Sequence, residues 1–358
     1  MQNNSTLSVW EKLQSASLVE GESVKTEPES PWYVKLLLSI SGWFGALFLL
    51  IFLGGTLGLM LGKDIDTYPL FLAFFGAGLI FFAYTMFKEK QGDFLEHFFL
   101  ALSMAGQAMV IGALFFMFEN RNYHELLLFV ALFQAFLMWV VPNYIHRMMS
   151  ALFMALSFSY FFYNAGEPFF PTVVLTFTIA WLWMNEFKWI ERKKIEAIAY
   201  GITTALVWLK YSMLFTPYYF YELFNLHGEV HFHAWMLNMG TLFTFAYVLW
   251  KLLAESGNLE NKKVLMLSVL ALVILFLISV EVNGLLLGTL LLVLGFAHSH
   301  HLLTGLGVLS SLIFLSNYYY FTGETLMEKA GLLLVLGVGL LLSRFIMKFI
   351  LEKEADDA

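Results

Sequence analysis

Residues 34–61 read VKLLLSISGWFGALFLLIFLGGTLGLML, with one charge at the second position and none after it. On a helix rising 1.5 Å per residue, these 28 residues extend about 42 Å. A bilayer's hydrocarbon core is about 30 Å thick, so the run crosses it with tilt. A secretory signal has an apolar stretch of only about 7–15 residues. The run is therefore read as a first membrane helix. Gly54, Gly58 and Gly62 recur at i, i+4 and i+8 along it, preceded by Gly42 and Gly45. Small residues at that spacing let a neighbouring backbone come close. We read the stripe as helix packing inside the protein, with a seam between two copies as the alternative.

Eleven further apolar runs follow, at 68–87, 98–118, 126–141, 148–164, 171–189, 195–215, 234–252, 264–281, 284–298, 302–321 and 327–350. Together they predict an all-α, polytopic transmembrane helix bundle of about twelve helices. Only 13% of the residues are charged and 59% are hydrophobic. Soluble domains carry about 25% charge, and a globule of this size leaves much of its surface wet. Lipid must therefore solvate most of the chain. The runs at 126–141 and 284–298 are short for a crossing.

Charge placement sets parity and orientation. With the N-terminus inside, sixteen of the 20 Lys and Arg fall in inside segments. Only Lys63, Arg121, Lys210 and Lys329 fall outside. This is the bias of the positive-inside rule, and one helix added or lost in mid-chain would scramble it. Both termini are thus expected in the cytoplasm. Ten acidic residues lie outside, making that face net −6. Aromatic clusters at Tyr160 to Tyr163, Tyr218 to Tyr221 and Tyr318 to Phe321 fall at outer boundaries, where amphipathic rings anchor.

The chain divides into a polar tail at 1–32, a transmembrane region at 33–350 and an acidic tail at 351–358. In the first tail Ser8 and Glu11 have capping-box spacing ahead of apolar i+3 steps, which predicts a short amphipathic helix on the membrane surface. Within the transmembrane region, His146-Arg-Met-Met-Ser-Ala-Leu resembles His300-His-Leu-Leu-Thr-Gly-Leu, and Gly166-Glu167 resembles Gly323-Glu324. The offsets, 154 and 157 residues, relate runs four and five to runs ten and eleven. They suggest a six-plus-six parallel repeat with halves at 33–190 and 195–350, as in some transporters.

Chemistry-bearing candidates are few. The outer loop around TPYYFYELFNLHGEVHFH carries Glu222, His227, Glu229, His231 and His233. His with carboxylate can hold a divalent cation, but no standard zinc spacing is present, and His231 and His233 share a face only if the segment is extended. No metal site is assigned; a solvated loop is the plainer reading. Lys210 sits inside the seventh run, where a charge is costly unless it snorkels or pairs. Snorkelling is the favoured reading, and pairing with Glu222 or Glu281 the sharper one. His298, His300 and His301 mark an inner turn; on one helix His298 and His301 would share a face. Gln107, Gln134 and Asn238 are expected to bond between helices. There is no Gly-rich phosphate loop, H-E-x-x-H or G-x-S-x-G, so no cofactor is called for. There is no basic patch for nucleic acid, and there are no cysteines.

Two stretches, PWYVKLLLSISGWFGALFLLIFLGG at 31–55 and SNYYYFTGETLMEKAGLLLVLGVGLLLSRF at 316–345, resemble the bacterial integral-membrane family catalogued as domain of unknown function 4401. The resemblance implies a bacterial inner membrane. It also implies a partner at the outer face: members are often encoded beside a small membrane-anchored protein named for a Gly-Asp-Tyr motif. It carries over no catalytic residue. Two functions follow as expectations. The first is a scaffold or transporter-like subunit working with that partner. The second is a membrane enzyme acting on lipid-linked substrates at the outer face, with the 222–233 loop as its site.

Overall fold

The computed structural model describes residues 14, 31–61, 69–89, 92–118, 123–167, 169–215, 230–321, 323 and 325–356. Among them the chain forms twelve α-helices: α1 Trp32–Leu61, α2 Pro69–Met86, α3 Asp93–Phe118, α4 Tyr123–Val140, α5 Tyr144–Asn164, α6 Phe169–Met184, α7 Arg192–Phe215, α8 Val230–Glu255, α9 Lys262–Glu281, α10 Leu285–Ala297, α11 His301–Phe321 and α12 Leu326–Asp356. A 3₁₀ turn, Glu186–Lys188, joins α6 to α7. The surface helix expected within residues 1–32 lies outside the described residues, Gln14 apart.

The segments that cover Leu36–Thr56, Pro69–Met86, Asp93–Phe118, Lys262–Glu281 and His301–Phe321 are long and apolar enough to cross a membrane. The distribution of side chains fits lipid as solvent. Phe48, Phe74, Phe81, Phe243, Phe296 and Leu341 face outward, while Ser103, Gln107, Gln134, His146 and Lys210 are buried. In water large exposed apolar surface and buried unpaired polar groups are both penalised. In lipid the first is free and the second is confined to helix–helix interfaces.

Glycines set the close crossings. A Cβ at Gly42 would lie 2.5 Å from Phe94 O, bringing α1 onto α3. Gly76 and Gly106 face each other, each placing a Cβ 2.6 Å from the other's carbonyl, which joins α2 to α3. Gly201 brings α7 onto α5, with a Cβ there 2.7 Å from Ala151 Cβ. Gly307 packs α11 on α10 against Leu292 N at 2.5 Å. A large apolar core then fills the space between α5, α6, α7, α8 and α10, around Trp183, Leu206, Leu209, Leu290 and Leu291. Trp183 Nε1 donates to Thr203 Oγ1 within it.

Several helix ends are chemically closed. Asn143 caps α5 by accepting from His146 N at 2.9 Å. Arg147 turns back to donate to Met138 O and Val141 O, both at 2.9 Å, satisfying the last carbonyls of α4. Thr325 and Glu328 form a reciprocal capping box at the start of α12. Tyr163 and Tyr318, expected among interfacial anchors, are buried instead, and Tyr163 bonds Thr172 Oγ1 at 3.0 Å. Tyr320 and Phe321 are exposed.

The α4–α5 and α10–α11 hairpins are each tightly packed. The helices before them differ. Both α1 and α2 pack on α3, whereas α7 packs chiefly on α5 and α6. A duplication is a proposal resting on the two hairpins.

Candidate functional site

The outer loop contributes nothing that can be described: Glu222, His227 and Glu229 lie outside the described residues. His231 and His233 fall in the first turn of α8. Gly54 has nothing within 4 Å of a built Cβ. The internal contact expected there is made by Gly42 instead, because α3 crosses α1 near its start. Gly58 lies in α1, and Gly62 lies outside the described residues.

Lys210 does not snorkel. It is 2% exposed, and its Nζ donates to Asn283 Oδ1 at 3.5 Å. Among the described residues no carboxylate pairs with it, and Glu281 is exposed. The bond ties α7 to the turn between α9 and α10. Asn238 Nδ2 nearby donates to Ser279 O at 3.2 Å, tying α8 to α9.

At the opposite end of the bundle two buried polar networks form. The first joins α3, α4 and α5. Gln134 Nε2 donates to Gln107 Oε1 at 3.0 Å, and Gln107 Nε2 lies 2.6 Å from His146 Nε2. With the Gln107 oxygen accepting, its nitrogen donates, so His146 Nε2 is the acceptor and the ring proton sits on Nδ1, 3.4 Å from Ser150 Oγ. Asn143, three residues before the histidine, donates to the exposed Glu96 at 3.0 Å.

The second network joins the 3₁₀ turn, α7 and α11. Glu186 is 1% exposed. One of its oxygens accepts from Arg192 Nε at 2.6 Å and the other bonds His300 Nε2. Trp183 and Tyr200 wall in the His300 ring. Lys251 of α8 donates to Met184 O at 3.1 Å and Asn185 Oδ1 at 3.0 Å beside it. The three inner-turn histidines do not share a helical face. His298 ends α10, Ser299 takes a positive φ of 57° and His301 opens α11. That bend sends His300 alone to Glu186.

These groups can hold and pass protons or bond a polar guest. Among the described residues no three metal-ligating side chains meet. A model of the family described as a domain of unknown function, DUF4401, matches residues 31–349. The chain belongs to that family. No curated protein and no solved structure matches it. The DUF4401 match covers both polar networks and Lys210. Glu186 lies within the apolar run at 171–189 and draws no notice there, and His146 enters only through the repeat. An acid inside an apolar run and an imidazole at a turn between two runs share one signal: folded inward, each has to find a partner.

Proposed function

We propose that this DUF4401 protein is a transporter-like subunit of a bacterial inner membrane, with both termini cytoplasmic, acting with a membrane-anchored partner on the outer face. One observation carries the transporter-like part: ionisable and amide side chains from four helices (Gln107, Gln134, His146 and Lys210) and two turns (Glu186 and His300) are turned inward in a largely apolar chain. Buried groups of this kind in membrane helices mark ion and solute paths or proton relays. The sixteen-to-four charge split supports the orientation, and the resemblance supports the partner. The enzyme alternative rests on the 222–233 loop, most of which lies outside the described residues.

A moving protein exposes these groups in turn. The chain has no cysteine, so Ser150→Cys gives a single reporter at a position that is 0% exposed. A charged, membrane-impermeant methanethiosulfonate should label it in vesicles from one side. A static bundle leaves it unlabelled from both sides while detergent-unfolded protein reacts, and that result ends the transporter-like reading. Partnership is tested by affinity purification in mild detergent. Recovery of the chain alone, with a deletion phenotype unlike that of the neighbouring gene, rejects the partner.

A further inference from the structure

We infer that the surroundings of Lys210 form a binding site for an oxyanion, a carboxylate or a phosphate group. The inference starts from an unbalanced charge. Lys210 is 2% exposed and an ammonium has three N–H donors. Its acceptor is a neutral amide oxygen, Asn283 Oδ1, at 3.5 Å, the long limit of a hydrogen bond. A buried charge with so little compensation is costly. A ligand that brings negative charge removes that cost.

A second observation points to the same place. Asn283 directly precedes Gly284, the N-cap of α10, and no side chain caps that helix. Leu285 N donates to Val282 O at 3.1 Å, but Leu286 and Leu287, 1% and 2% exposed, have amides that meet no acceptor among the described residues and cannot turn to water. Exposed helix starts find water or a capping side chain, and buried ones need a partner. Helix starts favour anions through these amides and the helix dipole. The third observation is Ser279, one turn earlier on α9. It is 0% exposed and its Oγ has no partner among the described residues. Other membrane-depth hydroxyls here, such as Ser159, Thr176 and Ser310, donate to the carbonyl four residues back. Ser279 does not.

The backbone fixes the start of α10. Gly284 has φ +94°, and a Cβ there would press on the Phe314 ring at 2.8 Å, so the uncapped start of α10 is fixed in position. At 13 residues α10 extends about 20 Å, short of a crossing. Short helices whose N-terminal ends point at an anionic group are a recurring way to build a site inside a membrane bundle. Glu281, two residues before Asn283, is exposed and makes no ion pair with Lys210. The site rests on the transporter-like reading for its role, since cargo would bind there, but binding itself is measured separately from movement.

The test uses the full-length protein purified in a neutral detergent, with unfolding temperature read from tryptophan fluorescence. Sodium phosphate and sodium acetate are titrated against sodium chloride at matched ionic strength, and phosphatidylglycerol is added in a parallel arm. Stabilisation by phosphate or acetate beyond chloride identifies a free oxyanion, and stabilisation by phosphatidylglycerol alone identifies a lipid headgroup. Either supports the site. Lys210→Met should weaken the effect about 10- to 100-fold, the worth of a lost charge-assisted hydrogen bond, and Lys210→Arg should retain it. If Lys210→Met fails to fold, Asn283→Leu and Ser279→Ala serve, and a several-fold weaker response is expected. No stabilisation by any of the three ligands overturns the inference. So does a response that none of the variants changes. Labelling at Ser150 with no anion response would leave the transporter-like reading standing without this site.

Discussion

Replacing Glu186 by Ala removes the acceptor that joins the 3₁₀ turn to α7 and α11, and the structure sets the size of the loss. The His300 bond is the larger part. His300 has 11% of its side chain exposed and Glu186 1%, so the pair is shielded from water, and a hydrogen bond to a charged group contributes about 1.5–3 kcal/mol. The Arg192 bond is smaller despite its 2.6 Å length, because 47% of that side chain is exposed, and exposed ion pairs contribute about 0–1 kcal/mol. The expected loss is about 2–4 kcal/mol. Stability would be read by titrating SDS into mixed micelles and following helicity. His300→Ala should cost about 1.5–3 kcal/mol, and the two changes together little more than Glu186→Ala alone, since they break the same bond. Arg192→Ala should cost under about 1 kcal/mol. Additive losses for Glu186→Ala and His300→Ala, or a Glu186→Ala loss below about 0.5 kcal/mol, the usual size of a surface change, would refute the buried pair.

Other consequences are simpler. Gly201→Ala should destabilise by about 1–3 kcal/mol in the same assay, because its Cβ meets Ala151 Cβ at 2.7 Å, whereas Gly54→Ala, with nothing within 4 Å, should leave unfolding unchanged. Gln107→Leu breaks the bonds to both His146 and Gln134 and should cost about 1–2 kcal/mol, interhelical bonds in lipid averaging about 0.6 kcal/mol and reaching about 1.7. Asn143→Ala removes the cap on α5 and the link to Glu96, for a loss of about 1 kcal/mol by the usual worth of an N-cap.

Hydropathy read the helices well because an apolar run of membrane length has few alternatives. The run at 264–281 became Lys262–Glu281, and 302–321 became His301–Phe321. Where the reading fell short, helices extended into polar interface: α3 begins at Asp93, five residues before its apolar run, and α8 at Val230, four before. The expected packing bonds of Gln107, Gln134 and Asn238 are present. The site was less legible. Glu186 and His300 are 114 residues apart, and no local spacing connects them. Lys210 stands out as a charge at depth, but its partner Asn283 is 73 residues away and is met only through tertiary packing. The glycine stripe at 54–62 drew attention by its period, yet contact depends on where another helix crosses, and α3 crosses at Gly42.

The proposed topology threads twelve helices through the membrane and puts the polar networks at the cytoplasmic end. Four single-cysteine variants in the cysteine-free chain test this directly. Glu167→Cys and Thr325→Cys lie in turns at one end of the bundle, and Glu191→Cys and Ser256→Cys in turns at the other; all four positions are exposed. An impermeant maleimide applied to intact cells should label the first pair and spare the second until the membrane is opened. Labelling of one member from each pair in intact cells, or of all four alike, would contradict it.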